Sequence, residues 1–239
     1  MSYSQRVARD FSKAAENYDD FAELQRRVVD GLLPWVPAHL SKVLDAGAGT
    51  GYAKQEGWIA LDVAQGMCRL NEGSICADMQ MIPLTNSSLE AVFSSLAVQW
   101  ISDVPAFLQE AHRCVQADGC LVIATLGAKT LQSLRESFTR AGMEPPLLPF
   151  QVLETLEVQL QEAGWKIERE EVQMLETVQD NVRSLLLNLK GLGARDKVKK
   201  LKVLRGKGWL KALEENYPSK LNNRIKIEWE VINIKANKV

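Results

Sequence analysis

The chain of 239 residues is poor in the residue types that carry metal, thiol and general-base chemistry. It holds two histidines, His39 and His112, and four cysteines, Cys68, Cys76, Cys114 and Cys120, none of them in a C-x-x-C pair. That inventory excludes the usual zinc patterns and a disulfide framework. The cysteines read as reduced core residues, and no metal site is expected. No apolar run approaches the ~20 residues that cross a bilayer, and no basic-plus-apolar leader opens the chain. A cytoplasmic protein without membrane contact is the expectation. Charge of one sign is also missing: 29 basic against 30 acidic residues leave −1, which argues against nucleic-acid binding by overall charge. Internal repeats and low-complexity linkers are absent. What remains, 46% hydrophobic and 25% charged residues, is the ordinary mixture of a globular chain with enough apolar material for a full core.

Patterning supplies the architecture. Residues 5–36 carry apolar positions at helical spacing (Phe11, Ala14, Ala15, Tyr18, then Leu24, Val28, Leu32), with a possible break at Asn17 to Asp20 and an end at Pro34 and Pro37. Five short apolar runs then read as strands, at 43–46, 58–61, 74–77, 91–95 and 120–125. A helix is expected over 104–115 behind an Asp103 N-cap, and Asp118-Gly119 reads as the turn into the fifth strand. Beyond residue 126 the pattern predicts helices at 129–142 and 151–163, a strand at 165–175, and helices near 178–190 and 207–216. A last alternating strand over 225–234 is expected to pair antiparallel at or near the sheet edge. Strands alternating with helices define an α/β class with a mostly parallel sheet covered on both faces.

The chemistry-bearing residues sit at the carboxyl ends of these strands. Gly47-Ala48-Gly49-Thr50-Gly51 follows the first, where a glycine turn opening a helix presents amides to a phosphate or a carboxylate. Asp62 ends the second strand, where an acid can accept both hydroxyls of a ribose, and Asp78 lies just past the third, within reach of an adenine amine. The dinucleotide fingerprint G-x-G-x-x-G/A is the competing reading. It is disfavoured by Tyr52 at the sixth position, which obstructs the close helix–sheet packing a small residue permits there.

Asp45-Ala46-Gly47-Ala48-Gly49-Thr50-Gly51 resembles the D-x-G-x-G-x-G motif of class I S-adenosylmethionine-dependent methyltransferases. Further segments narrow the likeness. They are Phe11-Ser12-Lys13-Ala14-Ala15-Glu16-Asn17-Tyr18-Asp19, Leu24-Gln25-Arg26, Leu96-Ala97-Val98-Gln99-Trp100 and Leu189-Lys190-Gly191-Leu192-Gly193-Ala194, which together resemble the malonyl-acyl carrier protein O-methyltransferases of biotin synthesis. The resemblance implies a Rossmann-like fold with a seven-stranded, mostly parallel sheet and a small helical cap. It implies a single domain over 1–239, with a helical lid at 1–40, a cofactor half at 41–126 and a substrate half at 127–239. It also implies S-adenosyl-L-methionine as cofactor, the loop residues Asp45, Gly47, Ala48, Gly49 and Gly51 at the methionyl part, Asp62 at the ribose, Asp78 and Met79 at the adenine, and Leu96 beyond the fourth strand. Tyr18 and Gln25 would face the pocket from the lid. Gln99 and Trp100 would wall the substrate side with Tyr18, and Arg140 and Lys190 are the candidate cations there.

The implied reaction needs no base. A malonyl carboxylate is already ionised near neutral pH, so catalysis rests on positioning the nucleophile against the methyl group, and no catalytic residue is assigned. The implied partner is malonyl-acyl carrier protein. Residues 195–226 hold eleven bases against three acids, which reads either as a solvated face or as a docking surface for an acidic carrier; aromatics suited to nucleic acid are sparse there. One departure stands out. Only the twelve residues 46–57 join the first strand to the second, room for about two helical turns of ~3.6 residues, where the family has a longer helix. A methyltransferase for another small acid, or a non-catalytic relative with a weakened cofactor site, are the alternatives.

Overall fold

The computed structural model describes residues 2–145, 147, 149–191 and 208–239, with side chains from 190 to 207 outside the description. Helix α1 (Tyr3–Ala14) starts at a capping box: the Ser2 hydroxyl accepts from the Gln5 amide while the Gln5 side chain accepts from the Ser2 amide. The chain then tightens into a 3-10 turn over Ala15–Asp20, at the break the sequence marks, before α2 (Glu23–Leu32). Leu24, Val28 and Leu32 are buried at helical spacing, so α2 lies on the sheet.

The strands are β1 (Val43–Ala46), β2 (Ile59–Asp62), β3 (Ile75–Cys76), β4 (Leu89–Ser95), β5 (Val115–Leu126), β6 (Trp165–Gln179), β7 (Lys220–Leu221) and β8 (Arg224–Lys238). Seven of them form the order β3-β2-β1-β4-β5-β8-β6, and the short β7 pairs with the start of β8. The first five pair in parallel, while β8 runs antiparallel to both β5 and β6. The last strand therefore lies one place in from the edge, and β6 is the edge strand.

Helices α3 (Gln65–Leu70), α4 (Val104–Cys114), α5 (Gln132–Arg140), α6 (Leu153–Glu162), α7 (Val182–Gly191) and α8 (Trp209–Glu215) complete the fold. On one face, Phe93, Leu134, Phe138, Leu185 and Leu213 pack with α2 into one core. On the other, Leu44, Val92, Phe107, Leu108, Leu156 and Leu160 form the second. A sheet apolar on both faces needs two such layers, and burying each Phe or Leu contributes roughly 1.5–3 kcal/mol.

Three sequence readings are corrected. The crossover from β1 to β2, residues 47–58, contains no helix at all; it passes through turns. Asp118-Gly119 is not the entry to β5. That strand begins at Val115, directly after α4, and its register with β4 jumps from Leu89↔Val115 to Ala91↔Cys120, so residues 116–119 bulge with Asp118 at φ 62°. The cysteines are not all core residues: Cys114 and Cys120 are buried, but Cys68 is half-buried and Cys76 exposed. Among the described residues no helix is long and apolar enough to cross a membrane.

Candidate active site

At the carboxyl ends of β1, β2 and β4 the backbone turns sharply. Gly47, Gly49 and Gly51 all have positive φ, at 82°, 55° and 89°, a region that side chains disfavour. At Gly47 a Cβ would fall 2.3 Å from the Cβ of Ala97, so the loop passes directly beside the turn after β4. At Gly49 a Cβ would meet nothing within 4 Å, because this residue faces open space. The loop amides are engaged within the protein. Those of Gly47 and Ala48 donate to the Leu61 carbonyl at 2.8 and 3.0 Å, and that of Gly49 donates to the Asp62 carboxylate at 2.9 Å. With no helix behind it and its amides satisfied, the loop is not the phosphate cradle of a dinucleotide site.

An open-mouthed cavity, about 680 Å³ with its mouth included, lies against Gly47, Gly49, Asp62, Asp78, Met79 and Leu96. Asp62 is fixed by the Gly49 amide and by the Ala64 amide at 2.7 Å. Burial raises its carboxyl above the ordinary value, opposed by those amide bonds. Asp78 sits low instead, because the side chain and amide of Gln80 and the Ser4 hydroxyl all donate to it and outweigh its partial burial. Helix α1 closes the cavity from outside: Ser4 donates to Asp78 at 2.7 Å, and Ser12 accepts from the Gly66 amide at 3.1 Å. A Cβ at Gly66 would lie 2.5 Å from the Ser12 carbonyl, so α1 rests on α3 at glycine distance.

A second chamber of about 530 Å³ adjoins the first. Phe11, Tyr18, Leu96 and Trp100 line both, so they form the wall between them. Phe11 meets Trp100 edge-on, with ring centroids 5.3 Å apart. The rest of the chamber is almost wholly apolar, with Leu131, Leu147, Phe150 and Trp229 among its lining. Its polar members are Tyr18, Gln25 and Gln99. Burial and the nearby Asp62 and Asp19 push the Tyr18 phenol far above its ordinary range, so it stays a neutral donor. The Gln25 Oε1 is buried without a hydrogen-bond partner among the described residues. Gln99 is held at both ends of its amide: Nε2 donates to the Leu96 carbonyl at 2.8 Å and Oε1 accepts from Thr125 at 3.2 Å. It thereby pins Leu96, whose φ of 51° is unusual for a branched residue.

A third hollow, about 460 Å³, separates the glycine loop from the start of α2 and has Asp45 on its wall. Asp45 is buried, and desolvation together with the charge of Asp62 pushes its carboxyl up to about 7.

Most of the residues singled out from sequence meet here. Tyr18 lines all three spaces, and Gln25 the second and third. Two do not. Gly51 lines none of the three; its φ of 89° and the Asn71 side chain 2.7 Å from a would-be Cβ give it a backbone role. Arg140 is exposed on α5, paired with Glu136 at 3.1 Å one turn away, and lines no part of the chamber. The side chain of Lys190 and most of the Leu189–Ala194 motif lie outside the described residues, as does 192–207 of the basic segment. Ser4, Leu131, Phe150 and Trp229 were missed by sequence reading. Ser4 lies at the first helical turn, and the other three sit on elements that only tertiary packing brings to the chamber. Among the described residues no group of His, Cys, Asp and Glu could hold a metal ion.

The order of strands, the acids at the ends of β2 and β3 and the glycine loop after β1 are those of a class I S-adenosylmethionine-dependent methyltransferase. A model of the methyltransferase domain matches residues 44–123. The chain belongs to the malonyl-[acyl-carrier protein] O-methyltransferase family: it is 31% identical to that enzyme of Gallionella capsiferriformans over 93% of this chain and 86% of the relative. It is also 32% identical to the biotin biosynthesis bifunctional protein BioHC of Saccharophagus degradans, covering 89% of this chain but 42% of that longer protein. In fold it is similar to an N-methyltransferase of Haemonchus contortus in complex with S-adenosylhomocysteine, with a TM-score of 0.58 at 14% identity, over 100% of this chain and 60% of the other.

Proposed function

We propose that the protein transfers a methyl group from S-adenosylmethionine to the free carboxylate of a malonyl thioester carried on acyl carrier protein, giving the methyl ester that enters biotin synthesis. The observation that carries this reading is the pair of adjoining spaces, one ending in carboxylates and the other neutral, parted only by Phe11, Tyr18, Leu96 and Trp100. Asp62 suits two ribose hydroxyls, Asp78 with Met79 suits an adenine, and Asp45 with Gly47 to Gly49 suits the amino-acid end. The cavity facing Gly49 and the unpartnered Gln25 oxygen fit a polar ligand there. When bound, the cofactor supplies an electrophilic methyl group.

The chain's own residues do the rest. The apolar chamber strips water from the acyl part of the substrate, and a carboxylate in it meets neutral donors rather than an acid. Tyr18 is placed to hydrogen-bond that carboxylate without quenching its charge as a close cation would. Lys190, next in sequence to the chamber residue Leu189, is the proposed substrate-side cation. The protein acts in the cytoplasm as one domain, with 1–40 as lid and 127–239 as substrate half.

The basic segment 195–226 is proposed as the face that meets the acidic carrier. In its described part Lys211 pairs with Glu215, Arg224 with Asp180 and Lys226 with Glu176, so these three bases offer little net charge. The docking charge therefore falls to Lys220 and to residues 195–207.

Calorimetric titration with S-adenosylhomocysteine tests the cofactor site, and absence of binding near millimolar would sink the reading. Methyl transfer is then compared between malonyl-acyl carrier protein, free malonate and unrelated acids. Equal or better transfer to unrelated acids removes the substrate assignment. Charge reversal at Lys199, Lys200 and Lys202 to Glu is expected to raise KM for the carrier substrate and leave transfer to free malonate in place; an unaltered KM removes the docking face.

A further inference from the structure

In doubly wound folds the helix after the first strand is the natural support of the glycine loop, and residues 47–58 here contain none. Three glycines at alternate positions, all in the left-handed region, give this loop much conformational freedom to lose. Something else must hold it.

Its outer limb is held from the N-terminal segment. The Thr50 hydroxyl donates to the Asp19 carboxylate at 3.0 Å. The Tyr52 hydroxyl donates to both oxygens of Asp30, at 3.1 and 3.3 Å. The Arg26 guanidinium stands 5.6 Å over the Tyr52 ring, while its Nη2 donates to the Asp19 carbonyl at 3.1 Å. On the far side, Lys54 donates to the Glu72 carbonyl at 2.9 Å, and Ala53 is buried in the core between the two attachments. Tyr52 itself is half exposed, so burial does not explain why its ring lies where it does. The hollow between this attachment and the loop is the one that holds Asp45.

We infer that Asp19, Arg26 and Asp30 form a clamp on Thr50 and Tyr52 that takes the place of the missing crossover helix and positions the glycine loop for cofactor binding. The inference rests on reading the first cavity as the S-adenosylmethionine site. These are positioning residues, acting through the loop. The N-terminal segment that carries the clamp also closes the cavity, through Ser4 and Ser12.

The test is Tyr52→Ala, with Tyr52→Phe as the conservative variant that keeps the ring under Arg26. Because the side chain is half exposed, Tyr52→Ala is expected to fold. Its Kd for S-adenosylhomocysteine should rise about tenfold, and that of Tyr52→Phe about threefold, the scale of one or two partly exposed contacts. KM for S-adenosylmethionine should follow, while kcat at saturating cofactor shifts less than about twofold, the signature of lost binding rather than lost chemistry. Amide exchange over 48–52 in the ligand-free chain should be faster in Tyr52→Ala. Binding within twofold of the unaltered chain together with unaltered exchange overturns the clamp. If the unaltered chain binds no S-adenosylhomocysteine, the cofactor reading fails, and the ligand-free exchange still decides the clamp: faster exchange supports it and unaltered exchange overturns it.

Discussion

Two spaces share one wall and differ in what they can hold. The first ends in Asp62 and Asp78, each carboxylate held by backbone or side-chain donors, and so offers acceptors to a ligand rich in hydroxyl and amine donors. The second offers aliphatic and aromatic side chains with Tyr18, Gln25 and Gln99 at one end. An anionic substrate would meet like charge in the first and none from the lining of the second. The difference teaches where each reactant belongs, since a carboxylate moved beside Asp62 would meet the like-charge repulsion that, second to burial, raises Asp45.

The comparison breaks most completely at Gly47, which lines the first space and packs against Ala97, the neighbour of the shared wall residue Leu96. Gly47→Ala places a methyl 2.3 Å from the Ala97 Cβ at a φ of 82°. Neither the backbone nor Ala97 can yield easily, so a loss of roughly 2–4 kcal/mol in stability is expected. S-adenosylhomocysteine affinity should drop by more than about a hundredfold. Thermal melts with titration check it; a variant that binds within tenfold would mean the loop is slack.

Sharper separation comes from one substitution on each side. Asp62→Ala should raise the cofactor KM by about tenfold or more, with a smaller change in the KM for the malonyl substrate, since a hydrogen bond to a charged group is worth ~1.5–3 kcal/mol. Phe150→Ala, in the chamber wall, should do the reverse. Its carrier-substrate KM should rise about five- to tenfold, the weight of part of one ring, with S-adenosylhomocysteine binding within about twofold. Steady-state kinetics in both substrates measure the crossing. If each variant moves both constants equally, the two spaces are one site and the division is wrong.

How much of this was legible in the residues follows from range. The glycine loop, Asp62, Asp78 and Leu96 are fixed by short-range pattern, because strand ends are marked by where an apolar run stops. The chamber was not legible. Leu131, Phe150 and Trp229 come together through β8 folding back between β5 and β6, and nothing local in an alternating strand says which neighbours it takes. Asp118-Gly119 misled because a turn and a bulge call for the same residue types, and here Asp118 takes the positive φ inside a bulge. The crossover length was read correctly at twelve residues, yet its conformation was not. A segment that short has material for a helix but not for a helix and two connections.

Asp45 provides a test that separates its hollow from both neighbours. Its carboxyl titrates near 7 in the folded chain against an ordinary value near 4, chiefly from burial. The folded state thus keeps a proton that the unfolded state releases, and stability from this group is full below about 4 and lost as pH rises through about 7. Asp45→Asn should flatten that dependence: compared with the unaltered ligand-free chain, it should gain melting temperature at pH 8 and lose the advantage at pH 5. Parallel melting curves across this window would show that Asp45 is solvated.

Arg140 should give the smallest effect, and it is the useful control for the chamber. Sequence placed it among the cations that could orient the substrate. The structure puts it on the exposed side of α5 with Glu136 3.1 Å away and no wall of the chamber beside it. An exposed pair one turn apart on a helix contributes ~0.3–0.5 kcal/mol. Arg140→Ala is therefore expected to leave kcat/KM for the malonyl substrate within about twofold and to move Tm by about a degree. A fall of tenfold or more in kcat/KM at unaltered stability would return Arg140 to the substrate. It would also mean that the neutral chamber is not where the carboxylate is held, and the contrast between the two spaces would have to be redrawn around a cation.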